Sequence, residues 1–574
     1  MNTANPEAPI DVETELATAR EEVLAGRGES AVRRLRRLAD QGVDHPLQAY
    51  WLAAALGAAG DWQGHHEALR AAQTQHALAA MESCNVDFAR LDTDLAYALQ
   101  VAQTFYSHNH VAVASTAYSR ALASPQAPLS AVLGYGLALQ HQGRIEEAVA
   151  AFSLACERSG GAAEAHSFLL YALFYVKDGV RRHAEEARRW AAIHFDHLLS
   201  QAPGFSNPPV QGRPLRLGYV APTVTAGQLR QFLAPLFENH DPEQVEVSLY
   251  LKDHPGPAQP PNTRVRVIGD LDDARAAQLI RDDGVDVLVD LWGHTANGRL
   301  GVFARKAAPV QVSWMNYLQT TGLSAIDYVL HSDGMAEPHA QDEFVEKIWH
   351  MGPAIAPFRP DPRPEPTPTP ARANGFVTFG SYNHPARLND ETVAAWSQIL
   401  LRTPGSELVL RYRYFEDMVL QNATLMRFAA HGVDPERITF KGHTVQPAYY
   451  ESYAEIDIAL DPSPCPGGTT SNDALANGLP MLTLKGDTYF SRLGSALVEP
   501  LGVPELVTET WDDYVDRAVE LASDIAALDA LRLRVRVGFD CFDHRQAAGF
   551  TRRLEAIFKD MFLRWQDERA TNAA

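Results

Sequence analysis

Between Asp461 and Asp473 the chain reads DPSPCPGGTTSND, a run whose residue types suit the binding of an anion. Gly467 and Gly468 allow backbone to approach a ligand closely. Thr469, Thr470 and Ser471 bring hydroxyls and backbone N–H groups to a helix expected to start near Thr469, where the helix dipole favours a phosphate. Asp473, expected within the first turn, is placed to accept hydrogen bonds from ribose hydroxyls. The same letters describe an ordinary helix start capped by threonine, and glycine-rich turns are common, so this segment alone leaves both readings open. A second segment, Phe379–Leu388 (FGSYNHPARL), carries Asn383 and Arg387 at the end of an expected strand. A cation there can neutralise a departing pyrophosphate; a guanidinium lying along a surface turn is the alternative. A third, Asp290–Arg299 (DLWGHTANGR), puts His294 after a glycine at another strand end. An imidazole there can accept a proton or donate to a substrate, although a lone histidine is more often structural.

The elements that must position these residues fall into three regions. From about Asp11 to residue 200 the chain is rich in Ala, Leu, Arg and Glu, without strand-like alternation, and reads as stacked helices. Gly136, Leu139, Gly143, Ala148, Phe152 and Ala155 fall at the spacings of a helix–turn–helix repeat of about 34 residues. One repeat earlier stand Ala102, Phe105, Asn109, Ala114, Tyr118 and Ala121. Small residues return as small and the aromatic returns as aromatic. Asn replaces Gly where a left-handed turn residue is needed, the exchange backbone sterics tolerate best. Gly60, Leu69 and Ala72 point to a further, more degenerate unit. Such repeats leave a concave face suited to extended peptide.

Residues 213–356 change texture to short β runs alternating with helical stretches, with strands expected at Leu215–Val220, Val245–Leu251, Val285–Leu291, Val310–Trp314 and Ile326–Leu330. That is the pattern of a parallel sheet with crossover helices. Residues 357–373 (PFRPDPRPEPTPTPARA) form an extended, semi-rigid connector. A second β/α series occupies 374–574, with strands expected at Phe376–Tyr382, Leu408–Tyr412, Arg437–Lys441, Ile456–Leu460 and Met481–Leu484. The fold class is therefore an N-terminal α-solenoid followed by two Rossmann-like α/β lobes, with ligands expected beyond the carboxyl ends of the strands.

Composition excludes several functions. Among 574 residues, 71 acidic against 50 basic side chains leave a formal charge of −21, which disfavours nucleic acid or an anionic membrane as a partner. No apolar run approaches the ~18–20 residues that span a bilayer, and the N-terminus lacks a basic segment followed by an apolar one. Cys84, Cys156, Cys465 and Cys541 are too scattered for a zinc site or disulfide framework, so no metal site is expected and the setting expected is cytoplasmic.

Taken together the segments resemble the catalytic region of the O-linked N-acetylglucosamine transferase and SPINDLY family, glycosyltransferase family 41, from about Ala162 to Phe558. The likeness is carried by AHSFLLYALFY, RPLRLGYVAP, FLAPLFENHD, GHTANGRLGVFARKAAPVQVSWMNYLQTTGLSAIDYVL, FGSYNHPARLN, DIALDPSPCPGGTTSNDAL and GDTYFSRLGSAL. The resemblance implies tetratricopeptide-like repeats before a GT-B fold. It implies metal-independent, inverting transfer of a sugar, with UDP-N-acetylglucosamine as donor and Ser or Thr of a protein as acceptor. By motif, Thr469 and Thr470 hold diphosphate oxygens beside Gly468, and Asp473 holds the ribose. Asn383 and His384 line the nucleotide and phosphate site, Arg387 stands at the diphosphate, and His294 and Thr295 face sugar and acceptor. The acceptor protein is expected to be reached through the repeat groove, and a homo-oligomer is compatible with this architecture.

The chain departs from the family pattern in three places. Arg387 stands where the family has Lys. GYVAPTVTAGQ puts Thr223 and Val224 at an Asp-Phe pair and Gly227 at a His. Gly468 replaces a His of animal members. Three readings follow: a transferase using UDP-N-acetylglucosamine, the same fold using GDP-fucose or UDP-glucose, and a degenerate scaffold that binds peptides.

Overall fold

The computed structural model describes residues 11–573 except 42, 44, 226–228, 361, 363, 364 and 366, with the side chains of 46, 543–546, 572 and 573 set aside. Gly227 thus lies outside the described residues, as do parts of the proline-rich connector. In chain order the strands are β1 Leu215–Ala221, β2 Val245–Leu251, β3 Thr263–Val267, β4 Val287–Asp290, β5 Val310–Ser313, β6 Tyr328–His331 and β7 Lys347–His350. They continue as β8 Thr378–Ser381, β9 Glu407–Arg411, β10 Ile438–Lys441, β11 Ile458–Leu460, β12 Met481–Leu484 and β13 Val507–Thr508. The chain divides into two compact units.

The first unit comprises the described part of Met1–Ala151 with Pro370–Val445 and Trp511–Ile525. Its N-terminal part is helical throughout, including Pro46–Ala58, Trp62–Ser83, Leu95–Ser107, Val111–Ala121 and Leu129–His141. The repeat spacing holds in three dimensions. Gly60, Asn109 and Gly143 all adopt positive φ (85°, 67° and 80°) at the ends of helices, and Ala102, Ala114 and Ala121 are buried. Helix starts follow the sequence: Asp61 accepts from the Gly64 amide at 2.8 Å and Asp94 from the Tyr97 amide at 3.1 Å. The apolar faces of these helices are covered in part by helix Met418–Ala429. It puts Ala423, Met426 and Ala429 among Leu16, Leu35 and Tyr50, and Val419 among Val101, Ala114 and Tyr118. In this unit β10, β9 and β8 lie side by side in that order, all parallel.

The second unit comprises Phe152–Thr369, Gln446–Thr510 and Ala526–Ala574. Its seven parallel strands run in the order β3-β2-β1-β4-β5-β6-β7. The order reverses between β1 and β4, the place where open α/β sheets bind ligands. Val220 pairs with Asp290 there, so the loops after Ala221 and after Asp290 leave the sheet together. Leu217, Tyr219, Val247, Val289 and Val312 build the core, which also takes in Phe550, Leu554, Phe558 and Phe562 from the long C-terminal helix Ile525–Ala573. In the same unit β11, β12 and β13 are parallel neighbours.

The structure adds strands that the sequence pattern did not show. β3, β7 and β13 lie in none of the expected runs; β3 and β7 are the outer strands of their sheet and are half-exposed.

Candidate active site

In the second unit, the motif Asp461–Asp473 follows β11 and leads into helix Thr469–Ala476. Asp461 organises the loop. One carboxylate oxygen accepts from the Gly467 amide (2.8 Å) and from the Ser471 hydroxyl (3.3 Å), and the other from the Thr483 hydroxyl (2.9 Å). Ser471 thereby turns inward, away from the role expected of it. From Asp461 to Leu484 all residues are buried except Pro464, Gly468, Thr469 and Thr470, so the open part of the motif is the helix start itself. The helix is not capped by threonine. Gly468 is its N-cap, without a side-chain cap, and Thr469 and Thr470 are its first two residues. Gly468 has φ −106°, and a Cβ built there meets nothing nearer than Leu493 at 3.8 Å, so a larger residue fits.

Asp473 lies in the second turn of this helix rather than the first, and it is buried. Its carboxylate accepts from the Tyr450 hydroxyl at 3.0 Å and from the Tyr449 hydroxyl at 3.1 Å. Burial lifts its pKa to about 7 against the opposing pull of these two bonds. Tyr450 in turn accepts from the Gln231 amide at 2.8 Å. Gln231 lines a cavity of about 390 Å³ together with Arg230, Glu238, Arg359 and Gln446. Neither tyrosine was singled out in the sequence, because nothing local ties YYESY to a carboxylate more than 20 residues on. The one available signal was an aromatic cluster just before a strand of the β/α series.

His294 is in the same unit, in the loop after β4. Gly293 before it has φ 57°, and a Cβ there would overlap Tyr317 at 2.4 Å, so only glycine brings the loop this close. The imidazole is buried with both nitrogens engaged: Nε2 lies 2.8 Å from the Thr321 carbonyl and Nδ1 3.0 Å from the Ser167 hydroxyl. Trp190 meets the ring edge-on at 4.3 Å. Burial lowers its pKa to about 3, so the ring is neutral, donates through Nε2 and accepts through Nδ1. Thr295 is half-exposed and its hydroxyl donates to the Trp292 carbonyl at 2.6 Å. Just before the loop, Asp290 accepts from the amides of Trp292 (3.1 Å) and Gly293 (2.9 Å), and burial raises it to about 7. In the loop after β1, the Thr223 hydroxyl lies 3.4 Å from the Thr225 amide.

Asn383, His384 and Arg387 belong to the first unit, in the loop that leaves β8. Asn383 is buried and its amide donates to the Ser381 hydroxyl at 3.2 Å. His384 Nδ1 accepts from the Ala386 amide at 2.9 Å, starting the short 3-10 turn Pro385–Arg387. The Arg387 amide donates back to the His384 carbonyl at 2.9 Å, so the arginine is the last residue of a turn that His384 sets. Among the described residues no group of three or more His, Cys, Asp or Glu is arranged to hold a metal ion.

The profile of glycosyl transferase family 41 matches residues 166–356 and 371–547. The chain belongs to glycosyl transferase family 41. Among curated relatives, it is 32% identical over 410 residues to a tomato (Solanum lycopersicum) protein named probable UDP-N-acetylglucosamine–peptide N-acetylglucosaminyltransferase SPINDLY. That match covers 69% of this chain and 44% of the relative. An Arabidopsis thaliana protein of the same activity name, SEC, is 27% identical over 384 residues, covering 61% of this chain and 38% of its own length. The chain thus spans less than half the length of these plant relatives. A solved structure of a mutant O-GlcNAc transferase from Thermobaculum terrenum aligns with a TM-score of 0.77 at 27% identity, over 93% of this chain and all of that one. The family 41 chain accordingly has a helical N-terminal region followed by the parallel α/β strands of a GT-B fold. No helix among its described residues is long and apolar enough to cross a membrane.

Proposed function

We propose that this family 41 chain transfers N-acetylglucosamine from UDP-N-acetylglucosamine to Ser or Thr of a protein, with inversion and without a divalent ion. The observation that carries the reading is the Gly-Gly-Thr-Thr motif: within an otherwise buried stretch, Gly468, Thr469 and Thr470 are half-exposed at a helix start whose N-cap is a glycine. In the reaction the acceptor oxygen bonds to the anomeric carbon as the bond from that carbon to the diphosphate oxygen breaks. UDP departs with the electron pair, and the hydroxyl proton passes to water. Thr469, Thr470 and the helix amides stabilise the diphosphate; by the family motif, the Arg387 guanidinium supplies positive charge that neutralises the departing diphosphate. Asp473 binds the ribose. With both nitrogens committed, His294 serves as a positioning group that holds the Trp292–Gly298 loop, and Thr295 on that loop faces the sugar. The cytoplasm is the compartment that suits such an acceptor, reached through the helical repeats.

The test is calorimetry with UDP and GDP, followed by incorporation of labelled N-acetylglucosamine into extract protein with and without EDTA. Expected are heat with UDP, incorporation insensitive to EDTA, and a loss of about 10²-fold or more in transfer for Arg387→Ala. Heat with GDP alone moves the donor to a guanosine sugar. Nucleotide binding without transfer of any sugar supports a peptide-binding scaffold instead, and no heat with either nucleotide refutes the reading.

A further inference from the structure

The loop that carries Arg387 is held by a residue of the helical repeats. Within the first unit, His141 ends helix Leu129–His141, and its Nδ1 lies 3.0 Å from His384 Nε2. The protons can be assigned. His384 Nδ1 accepts from the Ala386 amide, so the neutral ring keeps its hydrogen on Nε2 and donates it to His141 Nδ1. His141 then carries its own hydrogen on Nε2 and donates to the Tyr106 hydroxyl at 3.0 Å. Burial keeps both rings neutral, His141 at about 3 and His384 well below the usual imidazole value, so the assignment holds across the physiological range. The His141 ring is fixed from its faces as well, stacked on Tyr414 (4.4 Å, 23°) and near-parallel to Tyr106 (5.8 Å, 29°). Immediately after it, Gly143 at φ 80° brings the repeat turn against the same loop; a Cβ there would stand 3.0 Å from the Pro385 carbonyl oxygen.

We propose that His141 is a positioning residue for the nucleotide donor: through a directed Tyr106–His141–His384 hydrogen-bond chain, the repeats set the turn on which Arg387 is presented. The inference rests on the reading of Asn383–Arg387 as part of the donor site. It gives the helical repeats a part in donor binding besides any contact with acceptor protein. The His384 Nε2–H is the pivot, because without an acceptor on His141 it loses this buried bond, and the turn relaxes to replace it.

The full-length protein tests this by calorimetry with UDP and by transfer kinetics. His141→Phe keeps the aromatic stack and deletes both polar atoms, and it should weaken UDP binding by about tenfold. The donor KM should rise in parallel and kcat should fall by a smaller factor, since the turn presents Arg387 both to the bound diphosphate and to the charge that develops on it. His141→Asn restores an oxygen acceptor toward His384 and should recover most of the affinity. Tyr106→Phe, which removes only the far end, should cost about threefold. Melting temperatures show which variants are folded, and the asparagine and Tyr106 variants carry the test should His141→Phe fail to fold. Wild-type UDP affinity in His141→Phe, or equal losses in the Phe and Asn variants, would overturn the proposal and leave the donor site intact. Absence of UDP and GDP binding in the wild type is the separate result that removes the donor reading itself.

Discussion

At the scale of single residues, Asp473 shows how burial and the proposed ribose role pull against each other. A carboxylate that accepts ribose hydroxyls is most effective ionised, yet its surroundings raise it to about 7. Because the folded chain holds this proton more tightly than the unfolded chain, the stabilisation is complete below the ordinary carboxyl pKa near 4. It is lost as pH rises to about 7. Asp473→Asn removes that loss, so its melting temperature should change less between pH 5 and pH 8 than that of the wild type, a relief of up to a few kcal/mol. UDP affinity should fall roughly tenfold in the same variant. Identical pH profiles of melting would show that no buried charge forms at this position. Asp290, raised in the same direction, is unchanged by the substitution and provides the common background. The glycine–threonine start of helix Thr469–Ala476 was legible from residue types, since glycines followed by hydroxyl residues after a β-run mark a helix start. The Tyr449 and Tyr450 hydroxyls that fix Asp473 were not, because hydrogen-bond partners distant in the chain leave no local pattern.

At the scale of elements, one carboxylate starts two helices. Asp417 is buried, and its Oδ1 caps helix Met418–Ala429 through the amides of Val419 (2.9 Å) and Leu420 (3.4 Å). Its Oδ2 accepts from the Ala112 amide at 2.7 Å, in the first turn of helix Val111–Ala121, whose own N-cap His110 offers no side-chain bond. A single cap is worth about 1 kcal/mol. Asp417→Ala should therefore cost about 2–3 kcal/mol in urea unfolding, more than an ordinary cap, with Asp417→Asn intermediate because it keeps an acceptor for only one helix. A loss no larger than that of Asp61→Ala would argue against the double role. The strands legible in the sequence were the interior ones and the outer strand β10: Val245–Leu251 and Met481–Leu484 match their expected bounds, and the others fall within a few residues. The interior strands, largely buried, read as nearly continuous apolar runs. β3 (TRVRV) and β7 (KIWH) lie at the edges with water on one side, so their charged letters hid them.

At the scale of the whole molecule, the number of enclosed histidines sets a direction for acid stability. Burial holds His65 at about 4 and His141, His183, His294 and His331 at about 3. Each is neutral in the fold and charges once unfolded, so the stability it contributes is present above about pH 6.5 and is lost as pH falls toward 3. His331 is the clearest case. It stacks on Tyr489 at 3.5 Å beside Phe344, and neither ring nitrogen has a hydrogen-bond partner among the described residues. His331→Phe should stabilise by about 1–2 kcal/mol at pH 7. At pH 5 the gain should grow by about 2 kcal/mol, since the wild type alone must lose a proton to fold. A gain that is flat with pH, measured by calorimetric melting, would show that the ring is not held neutral.

What the amino-acid order determined by itself was local and periodic. It set the repeat spacing with its left-handed turns at Asn109 and Gly143, the alternation of β-runs and helices, and the glycine–threonine helix start, because backbone sterics and burial act over a few residues. Tertiary structure alone decided what meets across hundreds of residues: the C-terminal helix in the core of β1–β7, the tyrosines on Asp473 and His141 against His384. Those pairings depend on which surfaces the fold brings into contact, and no short-range rule encodes them.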